Sequence, residues 1–111
     1  MKAHTKIIFF DENEHKFFGE GPARLLHAIE KYGSLRTAAS SMDMAYTKAL
    51  KIIKTAENAL GFPLTTRTAG GKSGGGSQLT SEGKEWLNRY ENYRNACIQA
   101  NQELYLEFFS E

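Results

Sequence analysis

The stretch Ser34–Arg67, SLRTAASSMDMAYTKALKIIKTAENALGFPLTTR, decides the fold. Leu35, Ala38, Ala39 and Met42 recur at i, i+3, i+4 and i+7, one narrow apolar face of a short helix, and Ser34 stands where an N-cap belongs. The Ala38–Ala39 pair lets a second helix cross at close range. Asp43 marks the intervening turn, since aspartate accepts the left-handed conformation better than most residues. The next run buries Ala49, Ile52, Ile53, Ala56 and Leu60 on one side and carries Thr47, Lys48, Lys51, Lys54, Thr55 and Asn58 on the other. Two such helices in sequence make a helix-turn-helix, and a cationic second helix makes duplex DNA the first partner to consider.

Gly61 ends the second helix as a C′ glycine, and Pro63 forbids its continuation. Leu64–Thr68 and Ser77–Leu79 then read as two short antiparallel strands of a wing, joined by a glycine-rich loop able to follow a phosphate backbone. Arg67 and Lys72 are its expected cationic contacts. Upstream, Lys6–Phe10, a polar DENEH turn and Lys16–Phe18 read as a β-hairpin that packs phenylalanines on the helices. Pro22 suits the first turn of a helix whose apolar face is Leu25, Leu26 and Ile29 and which Gly33 ends. Downstream, Thr80 caps a helical pattern reaching about Phe109.

In that last helix Trp86, Tyr90, Tyr93, Cys97, Ala100 and Leu104 are spaced as a heptad seam. A helix of about 40 Å exceeds what one small domain can cover, so the reading is a homodimer through Trp86, Tyr90, Tyr93, Cys97 and Leu104. The alternative is a helix folded back over the hairpin, broken near Asn95.

A chain of 111 residues makes one domain: hairpin over 1–19, helix-turn-helix and wing over 20–79, dimerisation helix over 80–111. The fold class is mainly α with small β. Net charge is +1, unevenly spread. Residues 36–79 hold Arg36, Lys48, Lys51, Lys54, Arg67 and Lys72 against Asp43 and Glu57, a net +4. Residues 80–111 hold three cations against six glutamates, a net −3. The basic surface coincides with the reading head. A single Cys97 excludes an internal disulfide, and without a secretory signal or a spanning run the expected location is the cytoplasm, with no membrane partner.

Motifs suggestive of catalysis fail on spacing. Gly70–Ser73, GGKS, lacks the leading glycine of a phosphate loop, which would fall at Thr66, and is followed by glycines rather than a helix. Gly19-Glu20-Gly21 lacks the third glycine of a dinucleotide fingerprint, with Arg24 in its place. His4, His15 and His27 have no metal-ligand spacing, and no histidine is placed to activate Ser34, Ser40 or Ser41. No enzyme, cofactor, metal or small-molecule site is expected. The DNA contacts expected are Ser34, Arg36, Tyr46, Thr47, Lys48, Lys51, Lys54, Arg67 and Lys72. A protein-interaction module is the alternative, since winged helices also bind proteins.

FGEGPARLLHAI, GSLRTAA, MAYTKALKIIK, ALGFPLTTR, the GGKSGGG loop and LTSEG, in that order, resemble the N-terminal winged-helix domain of the molybdate-responsive ModE regulators and, more distantly, the DNA-binding domain of LysR-type regulators. The resemblance implies a dimeric transcriptional regulator reading an inverted repeat, with Tyr46, Lys48 and Lys51 in the reading helix and Gly70–Gly76 in the wing. Three positions depart from it. Asp43 replaces the usual turn glycine, Ala45 the capping serine, and Leu50 a tryptophan. The sequence also stops where a ModE protein continues into molybdate-binding domains, so the resemblance implies no oxyanion sensor here.

Overall fold

A computed structural model of the chain describes residues 1–68 and 76–110. Among them lie β1 (Phe9–Phe10), β2 (Lys16–Phe18), α1 (Glu20–Tyr32), α2 (Leu35–Ser41), α3 (Tyr46–Leu60), β3 (Thr65–Thr68), β4 (Gly76–Leu79) and α4 (Ser81–Phe109). Two antiparallel hairpins, β1–β2 and β3–β4, flank the three central helices. This is the mainly α winged helix-turn-helix expected. Residues 69–75, which hold Lys72 and most of the glycine loop, fall outside the described part.

The local signals act as their chemistry requires. The Ser34 hydroxyl accepts from Thr37 N at 3.0 Å and caps α2. Asp43 takes φ 52°, the left-handed turn that a glycine would otherwise supply, while Met44 N donates to Ala39 O at 2.9 Å. Ala45 offers no side-chain cap to α3. Gly33 and Gly61 end α1 and α3 at φ 73° and 82°.

The core forms where the central helices meet the wing and α4. Leu25, Leu26 and Ile29 of α1 pack with Ala38 and Ala39 of α2, Ala49, Ile53 and Ala56 of α3, and Leu64 and Leu79 at the wing base. The alanines keep the α2–α3 crossing short, as their size dictates. Ile52 and Leu60, expected in this face, are half-buried at its margin.

The N-terminal hairpin is shorter than the sequence pattern. Pairing begins only at Phe9, which faces Phe18, while Phe10 faces Lys16 across a shift in register. Residues 1–7 instead run beside α4, where the hydroxyls of Tyr90 and Tyr105 reach Ile7 O at 2.9 Å and Met1 O at 2.8 Å. The hairpin aromatics enclose α4, with Phe18 at 5.4 Å from Trp86 and 4.9 Å from Tyr90 between ring centroids, both edge to face. Trp86 and Tyr90, expected on a dimer seam, therefore belong to the protomer's own core; Tyr90 is 1% exposed. The 4-3 pattern marks an apolar face without saying what covers it, and here the hairpin covers its first two turns. Helix α4 is unbroken through Asn95 to Phe109.

An ionic link fastens α4 to α1. Arg94 Nη1 donates to Glu20 Oε1 at 2.7 Å, and the Tyr90 hydroxyl lies 3.1 Å from the same oxygen. The Arg94 bond chiefly holds the Glu20 carboxyl below its ordinary value near 4.5, against an opposing effect of desolvation. Burial first, then Glu20, pushes the Tyr90 phenol up to about 12. A carboxyl depressed by folding contributes stability above its unfolded value, which is lost as pH falls through the folded value. Glu20→Gln should thus lose less stability than wild type between pH about 5 and about 3. Solvent screens this side chain, which is 40% exposed, so the difference should be only about 0.5 kcal/mol. Thermal melts at the two pH values check this; equal acid sensitivity in both proteins would refute it.

Candidate nucleic-acid interface

The buried positions Ala49, Ile53 and Ala56 fix the roll of α3. Thr47, Lys48, Lys51 and Lys54 are consequently exposed, and Tyr46 stands half-buried at the start of the helix. The α3 surface divides into two flanks. On one, a groove of about 590 Å³ is lined by Ser34, Arg36, Tyr46, Lys54 and Arg67, so the start of α2, α3 and the wing open onto one space. On the other, Lys48 and Lys51 line a second groove toward the N-terminal hairpin. The residues read from the sequence as one basic face thus sit on both sides of the helix, with Thr47 exposed at its start.

On the wing side the side chains are pre-positioned. The Arg36 guanidinium lies over the Tyr46 ring, 4.5 Å from its centroid, which ties the first turn of α2 to the first turn of α3. The Ser34 oxygen is committed to its cap, so its first task is to fix the entry to α2. Lys54 Nζ is 4.0 Å from Glu57 Oε1, with its side chain 67% exposed. Arg67 is exposed on β3, opposite Ser77.

Glu57 was not among the residues read as functional, yet it anchors the wing. Its Oε2 accepts from Leu64 N at 2.8 Å and, more weakly, from Thr65 N at 3.5 Å, which fixes where β3 leaves α3. The available signal was a lone acid on a basic helix, just ahead of a Gly-Phe-Pro turn. The wing is stitched on two further sides. Ser77 N donates to Gly33 O at 2.8 Å, and a side chain at Gly76 would run into that carbonyl. Thr80 N donates to Leu64 O at 3.0 Å, and its hydroxyl donates to Pro63 O at 2.7 Å while accepting from Gly83 N at 2.8 Å. Arg67 is therefore carried on a strand whose base is braced by α1, α3 and α4.

Residues 23–84, from α1 through the wing to the first turn of α4, match the bacterial regulatory helix-turn-helix proteins of the lysR family. The chain belongs to that family. It is 38% identical over 85 residues to the molybdenum transport protein ModE of Azotobacter vinelandii, across 73% of this chain and 32% of that protein. It is 34% identical over 91 residues to the transcriptional regulator ModE of Haemophilus influenzae, across 82% and 36%. The molybdenum-pterin-binding protein MopB of Rhodobacter capsulatus is 36% identical over 66 residues, across 60% and 24%. The chain thus spans about a quarter to a third of these relatives. The lysR-type unit takes in every residue expected to meet DNA and stops short of the distal part of α4. Among the described residues, no helix is long and apolar enough to cross a membrane.

Proposed function

We propose that this chain acts as a sequence-specific DNA-binding transcriptional regulator, cytoplasmic and dimeric. The observation that carries the reading is the exposed polar and cationic surface of α3, braced between the wing and the N-terminal hairpin. With α3 in the major groove, its first two turns reach base edges, so Tyr46, Thr47, Lys48 and Lys51 read sequence. Arg36, Lys54 and Arg67 meet the backbone from the wing side, where they fix register without discriminating bases. Ser34 orients α2. Lys72 is assigned to the wing by sequence alone.

Selection of binding sites from a random duplex pool tests this reading. An enriched inverted repeat is expected; no enrichment, together with salt-independent retention, would overturn it. On the selected duplex Lys51→Ala should weaken binding by about 1–3 kcal/mol, and Lys48→Ala by a similar amount. Unchanged affinity of both variants at moderate salt would remove these two from the reading set.

Dimerisation is proposed through the distal half of α4. Tyr93, Cys97, Ala100 and Leu104 continue one helical stripe; the hairpin's Phe9 still stacks on Tyr93 at 6.0 Å between centroids and Cys97 is half-buried, while Tyr93 and Leu104 remain 51% and 53% exposed. A second copy is the occupant that also supplies a second reading head.

A further inference from the structure

The second groove beside α3 holds a set of cations that the reading head leaves unexplained. Its volume is about 540 Å³, and Lys6 before β1, Lys16 on β2 and Arg24 on α1 line it together with Lys48 and Lys51. All five side chains belong to exposed residues. Among the described residues, none of the five lies within 4.0 Å of a carboxylate, the ion pairs found there involving other side chains. Among the described residues the one acid lining the groove is Glu20, and its carboxylate is engaged by Arg94 at 2.7 Å and by the Tyr90 hydroxyl at 3.1 Å. The acidic hairpin tip, with Asp11, Glu12 and Glu14, does not line it.

Glu20 also attracts Arg24 at longer range, but one carboxylate already held by Arg94 leaves a net repulsion among five neighbouring cations, and an extended anion along the groove relieves it. The position of the groove identifies the anion. A helix lying in the major groove, about 12 Å wide, has one phosphate strand on each side. The wing stands beside one strand. The other passes over the flank where Lys48 and Lys51 meet the hairpin. We propose that Lys6, Lys16 and Arg24 form a second backbone clamp, so that the N-terminal hairpin grips the phosphate strand opposite the one met by the wing. This rests on the DNA-reading assignment above and adds contacts from outside the lysR-type unit, since Lys6 and Lys16 precede residue 23.

Phosphate contacts are counted by salt. Each one lost lowers the slope of log K against log salt by about 0.9. On a selected duplex, the full chain carrying Lys6→Gln/Lys16→Gln/Arg24→Gln should show a slope reduced by two to three such steps per protomer. It should also select the same sequence as wild type and, in ethylation interference, lose only the phosphates on the side away from the wing. Circular dichroism checks that the triple variant folds; if it does not, Lys6→Gln/Arg24→Gln, which leaves both strands untouched, gives the same reading with a smaller step. A wild-type slope and interference pattern in the folded variant would overturn the clamp, as would a changed selected sequence, which would make these residues base readers. Wild-type protein that binds no duplex in a salt-dependent way overturns the DNA-reading assignment itself, a failure distinct from the first.

Discussion

Gly83→Ala is expected to lower the melting temperature by about 10 °C, whereas Gly21→Ala should leave it unchanged or raise it slightly. Both glycines lie in the first turn of a helix, Gly83 in α4 and Gly21 in α1. Helix propensity gives the two substitutions the same sign, a gain of up to about 1 kcal/mol. Their surroundings separate them. A Cβ at Gly21 meets nothing within 4 Å, while a Cβ at Gly83 would strike the Leu64 carbonyl oxygen and come within 3.0 Å of its carbon. These are backbone atoms of a fully buried residue whose N–H is held by Glu57 and whose carbonyl accepts from Thr80. They cannot step aside, so α4 must lift from the wing base. Overpacking of this kind costs about 1–3 kcal/mol or more, and its upper range outweighs the propensity gain by about 2 kcal/mol, which for a domain of this size is about 10 °C. Paired thermal melts check it. Equal melting temperatures for the two variants would mean that the Gly83–Leu64 approach carries no constraint.

Gly83 also marks the limit of what the residues disclosed. The elements whose signals are local were legible: Ser34 and Thr80 as caps, Asp43 in the left-handed turn, Gly33 and Gly61 as helix ends, and the spans of α1 to α4. Each depends on chemistry within a few residues. The glycines at 76 and 83 matter because backbone from Gly33 and Leu64, far away in sequence, passes against them, and no periodicity encodes such a neighbour. Glu57 was obscured in the same way, since its partners lie beyond the turn that ends its own helix.

The exposure of the candidate residues is legible in the sequence, and their arrangement in space is not. Exposure of Thr47, Lys48, Lys51 and Lys54 follows from the apolar period of α3. The division of those cations between two grooves does not, because it depends on where the hairpin and the wing dock. The Arg36–Tyr46 stack likewise joins two helices across a turn. Trp86 and Tyr90 show the converse. Their heptad spacing marks an apolar face, but its cover thins along the helix, from the chain's own phenylalanines over Trp86, Tyr90 and one side of Tyr93 to an exposed Leu104.

That thinning of cover sets the expectation for Leu104→Glu, which should yield a folded monomer whose apparent affinity for a selected inverted repeat falls by roughly 10²–10⁴-fold. The fold survives because Leu104 is 53% exposed and no part of the core. The molecule measures 61 × 29 × 24 Å, and α4, at 1.5 Å per residue, accounts for about 43 Å of the long axis. Its distal end carries Leu106, Phe108 and Phe109 at 60%, 71% and 60% exposed as well as Leu104, a concentration of exposed large apolar side chains at one end of the molecule. Residues 1–7 meet this helix through the Tyr90 and Tyr105 bonds and Phe9 stacks on Tyr93, while Ala100 and Leu104 further along the stripe are exposed. In the proposed dimer, pairing that stripe with its copy would bury the apolar side chains and set two reading heads on one duplex, at a separation near 34 Å if the half-sites lie one helical turn apart. The second head then binds at an effective concentration fixed by the dimer, which is the source of the affinity that the monomer forfeits. A glutamate at 104 would face its symmetry mate across the seam, where like charges in a desolvated contact oppose association. Sedimentation equilibrium decides the matter: wild-type chain that stays monomeric at micromolar concentration overturns the dimer, and Leu104→Glu that stays dimeric places its seam elsewhere.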